Sequence, residues 1–294
     1  MSVASSRIES LASTRSHRIQ NVGSILQRVL LYVLVASGAV MFAIPFYWMV
    51  RTALMPPWQI YVFPPPMLPA ELHPEIFGIP FVHYPFGRWF LNSAFISLTS
   101  VLGIALSSSI VGFGFARLRM PYREAMFMVL LATMMLPDQV RLVPTYLLVV
   151  KLGWANTYWP LLVPTFLAPA FFVFLMRQFF MTIPSEMDDA AYIDGCSPLG
   201  VYWRIALPLS LPALGVVAIY AFTQSWNDFL HPLIYLQKTD IYTVAIGLRL
   251  LQGSVTVEIQ VLMAAAILSA LPMIALFFVA QRYFVQGIVI SGIK

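Results

Sequence analysis

The feature that most constrains this chain is a series of long stretches without a charged side chain. Val29 to Val50 runs for 22 residues with no Asp, Glu, Lys or Arg. As a helix rising 1.5 Å per residue it covers about 33 Å, enough to cross the hydrocarbon core of a bilayer. The run is too long for the apolar part of a signal peptide and lacks a small-residue cleavage site. Only 10% of the 294 residues are charged and mean hydropathy is +0.82, where soluble domains carry about 25% charged residues. An all-α polytopic membrane protein with six transmembrane helices is expected. The spans fall at about 29–50, 89–116, 121–137, 157–176, 213–236 and 259–281. Residues 29–294 then form a single transmembrane domain behind a loose, Ser-rich, basic tail, residues 1–28.

Some boundaries carry their own signals. Pro45, Tyr47 and Trp48 mark one end of the first span, as interfacial aromatics do. Asn92-Ser93 is placed to help cap the start of the second, and Gly112 and Gly114 permit close helix contact near its end. The third is short, because Asp138 and Arg141 interrupt it, and residues 138–156 read as an interfacial or a re-entrant segment. Residues 51–88 are rich in proline and aromatics and read as an ordered loop. That loop either packs on the rest of the chain or meets a partner. Residues 237–258 form a further loop.

One amphiphilic insert stands apart, Pro184 to Leu214, PSEMDDAAYIDGCSPLGVYWRIALPLSLPAL. It carries four carboxylates, Glu186, Asp188, Asp189 and Asp194, around one basic residue, Arg204. Ser185 is placed to cap a first short helix, with Glu186, Asp188 and Asp189 in its favoured N-terminal turn. Gly195 suits the left-handed residue that ends a helix. Ser197-Pro198 restarts the chain as N-cap and first helical residue. Pro208 and Pro212 kink or interrupt the chain beyond that restart. The pattern predicts a helix-turn-helix elbow with a small, flat Ala190-Ala191 patch that another backbone can approach.

These residues resemble the EAA loop of binding-protein-dependent ABC importer permeases: E-A-A, three residues, glycine, then a downstream Leu-Pro. Here the run is Asp189-Ala190-Ala191, three residues, Gly195, then Leu207-Pro208. Asp189 stands where the family usually has glutamate. The flanks IDG and LPLSLPAL, the run SWNDFLHPLIYL and the ending QRYFVQGIVISGIK are similar to the carbohydrate, maltose-permease-like subfamily. The resemblance covers roughly residues 89–294. It implies that the 184–212 loop couples to a separate ATPase through Glu186, Asp189, Ala190, Ala191, Gly195 and Pro208. It also implies a second permease subunit, two ATPase subunits that bind the ATP, an extracytoplasmic sugar-binding protein, and alternating access as the mechanism.

Charge orients the chain. With six spans and both termini inside, the inner segments hold 11 Lys and Arg and the outer segments 6. That bias puts the N-terminus, the C-terminus and the elbow in the cytoplasm, and the resemblance implies a bacterial or archaeal cytoplasmic membrane. The net charge of +5 therefore lies mostly on one membrane face and implies contact with lipid, not nucleic acid.

The chain has no GxxxxGK[ST], HExxH or CxxC, and its four histidines are scattered. No cofactor, metal site or catalytic residue of its own is expected, and the single Cys196 excludes an internal disulfide. Apart from Glu124 at the very start of the third, Asp228 is the only acid inside an expected span. A charge there is costly and functional by default. With Gln224 and Asn227 it forms either a gate or sugar contact on the substrate pathway, or a polar pair satisfied within the bundle. Scarce buried charge suits an uncharged sugar. The alternatives are an ABC permease for another solute, such as glycerol phosphate or a peptide, and an ion-coupled secondary carrier.

Overall fold

The structure, a computed structural model, describes the backbone of residues 2–253 and 258–291 and the side chains of residues 27–253 and 258–281. Every regular element described is helical. The chain divides into two units, residues 1–73 and 74–294, the boundary falling inside the expected single domain.

In the first unit, α1 (Ser2–Leu54) carries the expected first span, and α2 (Pro57–Ile60) follows. The loose tail expected over residues 1–28 is instead helical from Ser2. Extending a helix that already exists costs far less than nucleating one. The apolar stretch Gln27–Leu54 is long enough to cross a membrane, and none of its best window is buried within the chain. The proline-rich residues after it are ordered by polar side chains. Gln59 donates to Leu68 O (3.0 Å) and accepts from Ala70 N (2.8 Å), and Arg51 lies over the Trp48 ring at 4.3 Å.

The second unit runs through α3 (Ile79–His83), α4 (Phe86–Arg117), α5 (Arg123–Ala132), α6 (Asp138–Lys151), α7 (Trp159–Leu162) and α8 (Ala170–Phe180). It continues with α9 (Ser185–Ile193), α10 (Pro198–Val201), a π-helical turn at Tyr202–Ala206, α11 (Leu207–Leu209) and α12 (Leu211–Asn227). It closes with α13 (Leu230–Tyr235), α14 (Val244–Gly253) and α15 (Ile259–Ser291). Helix α4 is the central post and packs along α8 and α12. Glycine sets its approach to α8: a Cβ on Gly112 would lie 2.8 Å from Met176 Cβ and 3.0 Å from Arg177 N. Gly114 has no such neighbour; its nearest is Leu118 at 4.0 Å.

Among the described residues, Phe86–Arg117, Trp159–Phe180 and Ile259–Gln281 join Gln27–Leu54 as candidate spans, and two bent pairs bring the total to six at most. The expected third span ends in a sharp bend, and the segment expected beyond it begins with helix α6. Arg123–Met135 and Asp138–Lys151 meet at 97° across Leu136-Pro137, where proline removes a backbone donor and pushes the preceding residue out of helical conformation. The expected fifth span is broken within its length, because α12 stops at Asn227, before a separate α13. Ahead of that span, where Pro208 and Pro212 are expected to kink the chain, Pro198–Leu209 and Leu211–Asn227 meet at 75°.

Asn92 and Ser93 do not cap α4, which begins at Phe86. They hold the loop expected at 237–258. Asn92 Nδ2 donates to Asp240 O and Tyr242 O, each at 2.9 Å, and Ser93 Oγ accepts from Val244 N at 2.8 Å. Part of that loop is helix α14. A Cβ on Gly247 would lie 2.1 Å from the Trp89 ring, so only glycine lets α14 settle there.

Candidate functional site

The elbow forms at the Arg117 end of α4. Helix α9 starts one residue earlier than its sequence suggests: Pro184 is the N-cap and makes no side-chain cap, so Ser185 lies inside the first turn and does not cap. That turn carries Glu186 and Asp188. The other end is as expected. Gly195 has φ +80°, its N–H reaches Tyr192 O at 3.1 Å, and Cys196 N reaches Ala191 O at 2.9 Å. Those paired bonds are the Schellman closure of a helix on a left-handed residue. Ser197 Oγ then accepts from Gly200 N at 3.2 Å, with Pro198 opening α10. Pro208 is exposed, one residue into α11.

The elbow has a buried and an exposed side. Ala191 (6% exposed) joins the cluster of Phe113, Phe180, Val201, Tyr202 and Val217 that runs into the bundle. The expected Ala190-Ala191 patch is therefore split: Ala190 is exposed and Ala191 is not. Successive residues on a helix point about 100° apart, so only one of the pair faces outward. The exposed side carries Glu186, Asp189 and Ala190. It also carries apolar side chains that the loop pattern does not single out: Ile193 (87% exposed), Leu199 (64%) and Trp203 (49%). Their signal was large apolar residues standing among carboxylates outside any span.

Two arginines tie the elbow end together. Arg117 Nη1 meets Asp188 Oδ2 at 3.1 Å, with both side chains about nine-tenths buried. Its Nη2 donates to Phe180 O at 2.7 Å and to Ile183 O. One guanidinium thus joins α4 to the end of α8 and to α9. Burial raises the Asp188 carboxyl above the usual carboxylate range, the Arg117 charge opposes that, and Asp189 adds to it. Desolvation is the largest of these effects, so the pair is weak evidence for added stability. Arg177 Nη2 reaches Glu124 Oε1 and Oε2, both at 3.0 Å, and its guanidinium lies 4.1 Å from the Phe127 ring centre. This second joint ties α8 to α5.

The expected substrate-pathway residues lie elsewhere. Asp228 is not inside a helix but follows the last residue of α12. Its Oδ1 accepts from His231 N (3.2 Å) and its Oδ2 meets His231 Nδ1 (3.0 Å). Asp138, at the start of α6, pairs with Arg141 in the same i,i+3 spacing. The two acids line a recess of two adjoining lobes, of about 310 and 340 Å³. Such volumes lie at the small end of the roughly 300–1,000 Å³ typical of small-molecule sites. Gln224 lines it with Asp228; Asn227 lines neither lobe and donates to Thr223 O at 2.9 Å. The site residues missed from sequence are Asp138, Arg141 and His231. Their signal was Asp-x-x-Arg and Asp-x-x-His, two acids each with a basic partner one turn on.

The family described as the binding-protein-dependent transport system inner membrane component matches residues 108–290. That stretch holds the elbow, both arginine joints and both acids of the recess. The chain belongs to this family. The permease is 37% identical over 206 residues to the arabinooligosaccharides transport system permease protein AraQ of Halalkalibacterium halodurans, covering 70% of its own length and 74% of that relative. It is 32% identical over 262 residues to the sn-glycerol-3-phosphate transport system permease protein UgpE of Escherichia coli, covering 86% and 93%. A bacterial ABC transporter involved in the import of the acidic polysaccharide alginate shares the fold, with TM-score 0.80 at 20% identity over 87% of the permease and 95% of that chain. The permease is thus a multi-pass inner-membrane subunit of an ABC importer.

Proposed function

We propose that this permease imports a carbohydrate by alternating access, driven by separate ATPase subunits that meet its elbow. In this reading the 184–212 loop is the coupling element. Glu186, Asp189 and Ala190, with Ile193, form its docking face, while Ala191, Gly195 and Pro208 shape it. The observation that carries the reading is the two-sidedness of α9: acidic and apolar outside, and joined inside to α4 and α8 through Asp188 and Arg117. A helix held in that way moves the bundle when it is moved, as rigid-body switching requires. Membership of the family supports pairing with a second permease, two ATPases and an extracytoplasmic binding protein. The cytoplasmic placement of the elbow and both termini is supported by the Lys and Arg bias, 11 against 6.

The test has two parts. The assembled transporter is purified with its binding protein and the solute that protein retains is identified by mass spectrometry. A neutral sugar is expected; a peptide or a phosphate ester contradicts the carbohydrate reading. Ile193→Asp should then release the ATPase while the two permease subunits stay paired. Full retention of the ATPase contradicts the docking face.

A further inference from the structure

The recess reaches the middle of the membrane-crossing part of the bundle. Its wall on α4 includes Ser100, 14 residues from Phe86 and 17 from Arg117, close to the centre of the helix. Charges that open onto a recess within the bundle are expensive and persist where they serve a function. Their arrangement limits what the recess accepts. Among the described residues, Arg141 is the one Lys or Arg in either lobe, and it is already paired with Asp138. Asp228 is paired with His231. Two carboxylates thus face one permanent cation, and an entering phosphate or carboxylate would meet no uncommitted positive charge. Hydroxyl groups meet a better match. Carboxylate oxygens accept more than one hydrogen bond each, and a side-chain amide both donates and accepts. Gln224 is exposed on the wall and, among the described residues, makes no side-chain hydrogen bond. Tyr235, with His231 stacked on it at 6.3 Å, adds an aromatic face to the lobe that Arg141 lines.

We infer that this recess is a solute station that takes uncharged polyhydroxyl compounds and rejects anionic ones, with the Asp138–Arg141 pair setting the sign. The inference rests on the carbohydrate reading and sharpens it: the arabinooligosaccharide type of solute fits the recess and the glycerol phosphate type does not. Asp138→Asn removes the charge that occupies Arg141, so the recess should gain anion binding, an effect that misfolding does not imitate.

The test uses the assembled transporter without its binding protein. Equilibrium binding of arabinotriose and of sn-glycerol 3-phosphate is measured for the wild type, Gln224→Ala and Asp138→Asn. The wild type should bind arabinotriose at least five-fold more tightly than the phosphate. Gln224→Ala should weaken arabinotriose at least five-fold, and Asp138→Asn should strengthen the phosphate at least five-fold. Wild-type binding of the phosphate equal to or tighter than arabinotriose overturns the inference. So does an absence of wild-type arabinotriose binding, or affinities unchanged in both variants. If the binding protein retains a neutral sugar while these results fail, the station falls and the carbohydrate reading stands. If it retains a phosphate ester, the carbohydrate reading falls too.

Discussion

The elbow end and the recess both hold acid–base pairs, but they hold them differently. At the elbow, Arg117 and Asp188 are about nine-tenths buried, and three bonds from one guanidinium fix α4, α8 and α9 together. In the recess, Asp138 and Arg141 are at least half exposed, and both pairs are local, i to i+3. The first arrangement crosses between elements and leaves them one relative position. The second leaves each element free and its charged atoms within reach of a solute. Transmitting movement needs the former and passing a cargo needs the latter.

The largest effect should come where the elbow end is packed most tightly. Gly112→Leu places carbon where Met176 and Arg177 already stand; overpacking of this kind costs about 1–3 kcal/mol and sometimes more. The variant should give little monodisperse protein, read as yield and apparent Tm. The same change at Gly114, with nothing nearer than 4.0 Å, should be far milder, and equal losses would remove the contrast.

Next comes the cross-element pair. Arg117→Ala strands a buried carboxylate, and breaking such a pair costs about 3–5 kcal/mol. The cost should appear as loss of coupling between ATP hydrolysis and uptake. Adding Asp188→Ala should restore part of the stability, giving a clear double-mutant interaction in thermal unfolding. Strict additivity would mean that the two side chains act independently.

Gly195→Val should cost about 1–3 kcal/mol through its positive φ alone, because open space surrounds the site. Gly195→Asn, which tolerates that conformation, should recover most ATPase retention. A valine variant as stable as the asparagine variant would show that φ does not matter there. Asp189→Glu should change stability by no more than about 0.5 kcal/mol, as exposed substitutions do, and should leave uptake unaltered.

Local chemistry was legible in the sequence. Gly195, Ser197 and Pro198 act through neighbours a few residues away, so their types announce their roles. The apolar runs likewise announced the long helices. Register between elements was not legible. Asp188 and Asp189 look alike in sequence, and only Arg117, 71 residues earlier, makes one a buried joint and leaves the other exposed. Ala191 turned inward for the same reason. Asn92 and Ser93 looked like caps because cap residues are recognised by type, yet their partners lie about 150 residues on. The break at Asp228 was hidden by hydropathy, which counts apolar residues and does not see a bend, whereas Asp138 and Arg141 announced the one at Pro137.

The most direct test is the number of solute molecules imported per ATP hydrolysed. It is measured in proteoliposomes holding the complete transporter and its loaded binding protein, for the wild type, Arg117→Ala and Gln224→Ala at matched abundance. The account predicts that Arg117→Ala keeps hydrolysing ATP while its ratio falls at least five-fold. Gln224→Ala should take up solute more slowly at an unchanged ratio. An unchanged ratio in Arg117→Ala, or an equal fall in both variants, would contradict the division between a coupling elbow and a cargo recess.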